Sequence, residues 1–185
     1  MAKLILILVS SLLAISCGGH RYACDDRPGG YEDVHFIGDT SVNYFILRDT
    51  SCFVHLEKIP DIIDGPNIGE FVCFSNALSS EFLLLARENG GMHNQFNYFY
   101  LTDSIPSEYR SKIAILGDSV FYTTSGMHIG SSETEFCEKH KGINFSISQS
   151  ANEKTYEFQD TTNLYQCTYR FNDGKLKYVE FGYVW

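Results

Sequence analysis

The chain has 185 residues, 44% hydrophobic, 15% aromatic and 20% charged, enough apolar mass for one domain or for two small halves sharing a core. It carries 14 Lys and Arg against 23 Asp and Glu, a formal net charge of −9. Without a basic cluster, that balance excludes binding to nucleic acid or to anionic lipid by charge.

The first stretch, MAKLILILVSSLLAISC, governs where the protein is expected to reside. Lys3 supplies a positive start, and Leu4 to Ile15 is apolar apart from Ser10 and Ser11. As a helix that run spans about 18 Å, short of the ~30 Å hydrocarbon core of a bilayer. Residues 1–16 therefore read as a signal peptide rather than a permanent span. Ala14 and Ser16 are small residues at the two positions that a signal peptidase inspects. Leu13-Ala14-Ile15-Ser16-Cys17 resembles the lipobox of bacterial lipoproteins. The resemblance implies cleavage before Cys17, a diacylglyceryl thioether on its sulfur and acylation of the new amine. Attachment to the membrane would then come from lipid. The implied location is the bacterial cell envelope, the outer membrane foremost. Cleavage of the same bond by an ordinary signal peptidase, with plain secretion, is the alternative.

Residues 17–32 read as a lipidated tether, because Gly18-Gly19 and Asp25-Asp26-Arg27-Pro28-Gly29-Gly30 can bury little apolar area. Residues 33–122 read as a β-rich half. Strands are expected over Val34 to Leu47, Cys52 to Leu56, Ile68 to Phe74, Gln95 to Leu101 and Lys112 to Tyr122, the last interrupted at Gly117-Asp118. Over Gln95 to Leu101, Phe96, Tyr98 and Tyr100 fall on one side. Ser79 to Glu88 holds Leu83-Leu84-Leu85-Ala86 before Gly90-Gly91 and predicts a helix, with a buried strand as the alternative for so short an apolar run.

Residues 123–185 carry the clearest pattern. Ser132-Glu133-Thr134-Glu135 spells a capping box, opening a helix that should end near Lys141-Gly142. Period-2 alternation follows around Phe145, around Tyr156 and Phe158, and over Tyr165 to Phe171. Asp173-Gly174 predicts a tight hairpin with Phe171 opposite Leu176 and Tyr169 opposite Tyr178. Beyond it the apolar phase flips to Val179, Phe181, Tyr183 and Trp185, which predicts a bulge near Tyr178 to Glu180. The fold class is thus α+β: mainly antiparallel β with one or two helices, the C-terminal third being a helix followed by a four-stranded meander. The two halves are expected to share one globular unit. Over Ile129 to Trp185 this order resembles the small α+β lipoproteins of the SmpA/BamE and β-lactamase-inhibitor-like class. Thr123 to Glu135, centred on Gly126-Met127-His128-Ile129-Gly130-Ser131, is similar to an element of bacterial envelope lipoproteins. That likeness implies protein binding, by fold analogy alone.

Six cysteines stand at 17, 24, 52, 73, 137 and 167, none in a C-x-x-C pair, which argues against a zinc ribbon or a thioredoxin motif. In an oxidising compartment the expected bridges are Cys137–Cys167 and Cys52–Cys73, with buried thiols as the competing reading. Ile115-Leu116-Gly117-Asp118-Ser119-Val120 resembles the Gly-Asp-Ser block of the SGNH hydrolases, in which the serine is the nucleophile. No Asp-x-x-His follows to supply the base and its carboxylate, so Gly117-Asp118-Ser119 reads as a turn. The six histidines form neither H-x-x-x-H nor H-x-H, and Asp61/Asp64 and Glu133/Glu135 read as solvated turn and cap residues. No metal, cofactor or catalytic set is expected. Twelve Tyr and fourteen Phe leave a surplus of rings, some of which can form an outward binding patch for an envelope protein or glycan. The expectation is a membrane-anchored, non-enzymatic binding or assembly module. A secreted hydrolase built around Ser119 or His128 and an inhibitor-like protein-binding module are the alternatives.

Overall fold

The alternating segments at the C-terminus fold as their pattern predicts, and they extend into a larger sheet. The computed structural model describes residues 21–23, 38–49, 51, 53, 56, 60–66, 68–87 and 95–184. Among these, twelve strands and one α-helix follow in the order β1 (Arg21–Ala23), β2 (Ser41–Val42), β3 (Phe45–Ile46), β4 (Ile63–Gly65), β5 (Gly69–Ser75), β6 (Phe82–Arg87), β7 (Tyr98–Thr102), β8 (Ala114–Ile115), α1 (Glu133–Lys139), β9 (Asn144–Gln149), β10 (Glu153–Asp160), β11 (Tyr165–Asn172) and β12 (Lys175–Tyr183). A 3-10 helix, Ser107–Lys112, separates β7 from β8. The main sheet runs β1-β9-β10-β11-β12-β7-β6-β5-β4 with antiparallel neighbours throughout, while β8 pairs with β5 in parallel. No helix among the described residues is long and apolar enough to cross a membrane.

β12 lies between β11 and β7, so residues from both sides of the expected boundary at 122/123 enter one sheet. The hairpin before it is a two-residue turn with positive φ at Asp173 (49°) and Gly174 (69°), the conformation that matches strand twist. Phe171 faces Leu176 as expected, but Tyr169 faces Val179 and Arg170 faces Tyr178. The expected Tyr169–Tyr178 pairing is corrected by one extra residue, Lys177, which bulges from β12 just ahead of the predicted position. The bulge keeps Leu176, Val179 and Phe181 in the core and sends Tyr178 to the opposite face.

The helix starts where the capping box places it. Ser132 Oγ accepts from the Glu135 amide (3.1 Å), while the Glu135 carboxylate turns to Lys139 one turn on (2.9 Å). It ends at Lys139, short of the expected Lys141-Gly142, and His140 caps it. Phe136 carries its contact with the sheet, with ring centroids 4.7–5.4 Å from those of Tyr156, Tyr169, Phe145 and Phe171.

The predicted helix at Ser79 to Glu88 is instead strand β6, the alternative weighed for it. All six of its residues are buried: Leu83 and Leu85 in one core, Phe82, Leu84 and Ala86 in a second core across the sheet. A strand covered on both faces loses its polar alternation, and burial overrides the helix propensity of its leucines. The strand expected over Lys112 to Tyr122 shrinks to β8, because beyond it the chain crosses the β5–β6 turn, with the Leu116 amide donating to Ser75 O (2.9 Å) and the Ala77 amide to Asp118 O (2.8 Å). Within the expected tether, Arg21–Ala23 pairs with Asn144–Ser146 and adds an edge strand. The signal peptide, Cys17, Cys24, Cys52 and the rest of the tether lie outside the described residues.

A buried carboxylate locks the first core. Asp39 Oδ1 accepts from the Ser125 amide (2.6 Å), and its Oδ2 from the Tyr169 hydroxyl (2.6 Å) and the Ser125 hydroxyl (3.2 Å). Tyr165 Oη donates to the Asp39 carbonyl (2.8 Å). Segment 38–47 and the loop around Ser125 are thereby fastened to β11.

Candidate functional site

The second core leaves a cleft on its outer side. Leu84 of β6, Tyr100 and Thr102 of β7 and Tyr178 of β12 form its floor; Ser104–Pro106, Glu108 and Tyr109 form one wall, and Gly65, Pro66 and Ile68 the other. Its volume is about 370 Å³, within the range of roughly 300–1,000 Å³ usual for ligand sites. Local chemistry explains the wall. The Ser104 amide donates to Thr102 Oγ1 (3.3 Å), turning the chain out of β7, and buried Ile105 pins it to the sheet. Pro106, with φ −53°, then opens the 3-10 helix that carries Tyr109. The Tyr109 ring stands edge-on to Phe71 at 5.3 Å and 84°. A Cβ at Gly65 would lie 2.9 Å from the Phe71 ring and 3.6 Å from the Tyr109 hydroxyl, so only glycine lets this pair close the cleft beneath β4.

The rings of Tyr100 and Tyr178 are 6.4 Å apart, and the Arg170 guanidinium sits 4.8 Å from the centre of the Tyr178 ring. Tyr178 Oη donates to Glu180 (2.5 Å). Burial, then the neighbouring Glu180 charge and the hydrogen bond to it, push the Tyr178 hydroxyl well above its ordinary pKa, so it stays protonated. At the edge of the site Lys177 Nζ donates to Asp103 (2.8 Å). The cleft therefore offers ring faces, aliphatic and prolyl walls and neutral hydroxyls, with the carboxyl of Glu108 at its mouth. These are materials suited to contact with an apolar group.

The residues singled out by sequence lie elsewhere. Gly117-Asp118-Ser119, expected as a turn, is an irregular bend just beyond β8, with Asn76 Nδ2 donating to the Ser119 carbonyl (2.8 Å). His128 stands edge-on to Tyr122 at 5.1 Å and places Nδ1 2.8 Å from the Ile129 carbonyl. His140 is buried against Phe136, and burial foremost lowers its pKa. Asp61 and Asp64 are exposed, and no three His, Cys, Asp or Glu residues among the described residues converge as metal ligands do. His20, His35, His55 and His93 lie outside the described residues.

The expected Cys137–Cys167 bridge is not formed. Cys137 carries a thiol 3.9 Å from the Tyr156 hydroxyl, on the helix side of the core. Cys167 is a buried thiol on β11, beside Tyr165 and Tyr169, and burial foremost raises its pKa. Cys73, expected to pair with Cys52, is also a buried thiol, and burial pushes its pKa up to about 12. At neutral pH it is not a thiolate nucleophile.

Sequence reasoning placed Phe96, Tyr98 and Tyr100 on one face. The structure puts Phe96 in the first core and the two tyrosines in the second, since β7 begins only at Tyr98. The cleft itself escaped that reading, because its lining comes from four separated stretches of chain, 65–68, 84, 100–109 and 178. The one available signal was the phase flip after Lys177, which aims Tyr178 at the second core. No protein-family model, curated protein or solved structure matches this chain.

Proposed function

We propose that this protein is a non-enzymatic binding module of the bacterial envelope, held to the membrane by lipid on Cys17. Its Tyr100–Tyr109–Tyr178 cleft takes an apolar side chain from an envelope protein. The lipobox-like stretch ending at Cys17 supports the anchor. The cleft supports the binding role, and it is the observation that carries the reading: aliphatic and prolyl walls around tyrosine faces suit a protein segment, and Tyr supplies contact area with few rotamers to freeze.

A photoreactive residue at Ser104, on the exposed lip of the cleft, tests this in growing cells. A discrete protein adduct is expected, lost when Tyr178→Ala or Tyr109→Ala is added, while the same probe at exposed Glu157 on β10 gives none. A glycan adduct would redirect the cleft to sugars. Equal labelling from both positions would remove the cleft from the reading. Detergent-phase partitioning tests the anchor separately: the wild-type chain should enter the detergent layer, and a chain expressed from residue 18 onward, without leader or Cys17, should not.

A further inference from the structure

The lining of the tyrosine cleft is chemically one-sided. Tyr100, Tyr109 and Tyr178 supply its rings. Among the described residues that line it, Glu108 alone carries a formal charge at neutral pH, and that charge is negative. The basic side chains nearby are engaged or placed elsewhere. Lys177 donates to Asp103 (2.8 Å). Arg170 lies against Tyr178 and 3.8 Å from Glu153, outside the lining. Lys112, three residues past Tyr109, lines a separate cavity with Leu56 and Pro60. Arg110 is exposed and does not line the cleft.

The lining is also graded in depth. Leu84 and Tyr100 are buried, Tyr109 and Tyr178 half-buried, and Pro106 and Glu108 exposed. An entering group therefore passes a carboxylate at the mouth on its way to ring faces at the floor. The face of an aromatic ring attracts a cation held within about 6 Å of its centroid. This chain already uses that attraction twice, with Arg170 4.8 Å from the centre of the Tyr178 ring and Arg48 3.9 Å from that of Tyr183.

Arginine is the side chain that matches this order. Its methylenes suit aliphatic and prolyl walls. Its planar guanidinium stacks on ring faces and holds water less tightly than an ammonium does. Its N–H edge needs acceptors, and the lining provides the hydroxyls of Thr102 and Ser104 and the carboxylate of Glu108. A purely apolar side chain would use the walls and leave those acceptors idle.

We propose that the side chain this cleft takes is an arginine of the bound protein, with its methylenes between the walls and its guanidinium among Tyr100, Tyr109 and Tyr178, in the field of Glu108. The inference rests on the cleft reading above and narrows it, from an apolar group to a cation on an aliphatic stem.

The full chain in a nonionic detergent, with carbon-13 in its tyrosine rings, is titrated with the N-acetyl amides of arginine, citrulline and norleucine. Citrulline keeps the shape of arginine without its charge, and norleucine keeps only an apolar stem. The arginine amide should shift the ring signals of Tyr100, Tyr109 and Tyr178, assigned with Tyr100→Phe, Tyr109→Phe and Tyr178→Phe. It should bind roughly fivefold or more tighter than the citrulline amide. Glu108→Gln should reduce that ratio roughly threefold. Glu157→Gln, at an exposed carboxylate on β10, should leave it unchanged. Arginine binding no tighter than citrulline, or a ratio that Glu108→Gln does not move, overturns the proposal. Binding of norleucine alone overturns it too, while leaving the cleft as an apolar site. If none of the three amides moves these rings, the cleft reading falls with it.

Discussion

The two ends of the main sheet solve burial differently. In the meander, β9 to β12, one face meets helix α1 and the clasped loops while the other meets water. On β11, buried Tyr165, Cys167, Tyr169 and Phe171 alternate with half-buried Gln166, Thr168 and Arg170 and exposed Asn172. Around β5 to β7 both faces are covered, and β6 is buried at every position. One-sided burial leaves a readable pattern and a solvated face. Two-sided burial erases the pattern, and where its outer cover is incomplete it leaves an apolar cleft. The cleft lined by Tyr100, Tyr109 and Tyr178 belongs to the second arrangement.

Substitutions can break or sharpen that contrast. The largest effect is expected at the one helix-to-meander plug: Phe136→Ala should cost about 3–5 kcal/mol in denaturant unfolding. At the outer face the two regions should part. Leu84→Ala on β6 removes a buried side chain and should cost about 2–4 kcal/mol, whereas Thr168→Ala, outward on β11, should stay within about 0.5 kcal/mol. Equal costs would mean that the second core is not a true core. Asp39→Ala strands the Tyr169 hydroxyl and the Ser125 amide in the interior and should cost about 1–3 kcal/mol.

The smallest effect is one of pH. Burial alone would raise the Glu133 carboxyl, but hydrogen bonds from Lys154 (2.5 Å) and Tyr156 (2.5 Å), with the Lys154 charge, outweigh it and hold the pKa below its ordinary 4.5. A carboxyl depressed in the fold contributes stability above its unfolded pKa and loses it as pH falls through the folded one. The stability gap between wild type and Glu133→Gln should therefore be constant near neutrality and close as pH drops below about 4.5.

These regions also account for what could be read in advance. The meander was legible because each signal was local: a capping box at Ser132, period-2 runs, and Asp173-Gly174 setting the register. Even its bulge announced itself through the phase flip and missed by only a residue. β6 was ambiguous because Leu83 to Ala86 satisfy a helix and a doubly buried strand equally well, and only β5 and β7 decide between them. The Asp39 clasp had no local signal, since its partners lie 86 and 130 residues away. The cleft was hidden for the same reason: Ile68, Tyr109 and Tyr178 are neighbours only after the sheet has formed. Cys137 and Cys167 were expected to pair from their number alone, but their side chains meet different tyrosines, Tyr156 for the first and Tyr165 and Tyr169 for the second, and no local signal in the sequence reports that.

Hydrogen exchange on the protein mixed with a bacterial envelope extract, set against the same protein alone in buffer, compares the two regions in one measurement. Added protection over residues 65–68 and 102–109, with the outer face of β10 and β11 unchanged, is the result expected of a cleft that binds. Protection confined to β10 and β11, or an identical pattern in both settings, would contradict it.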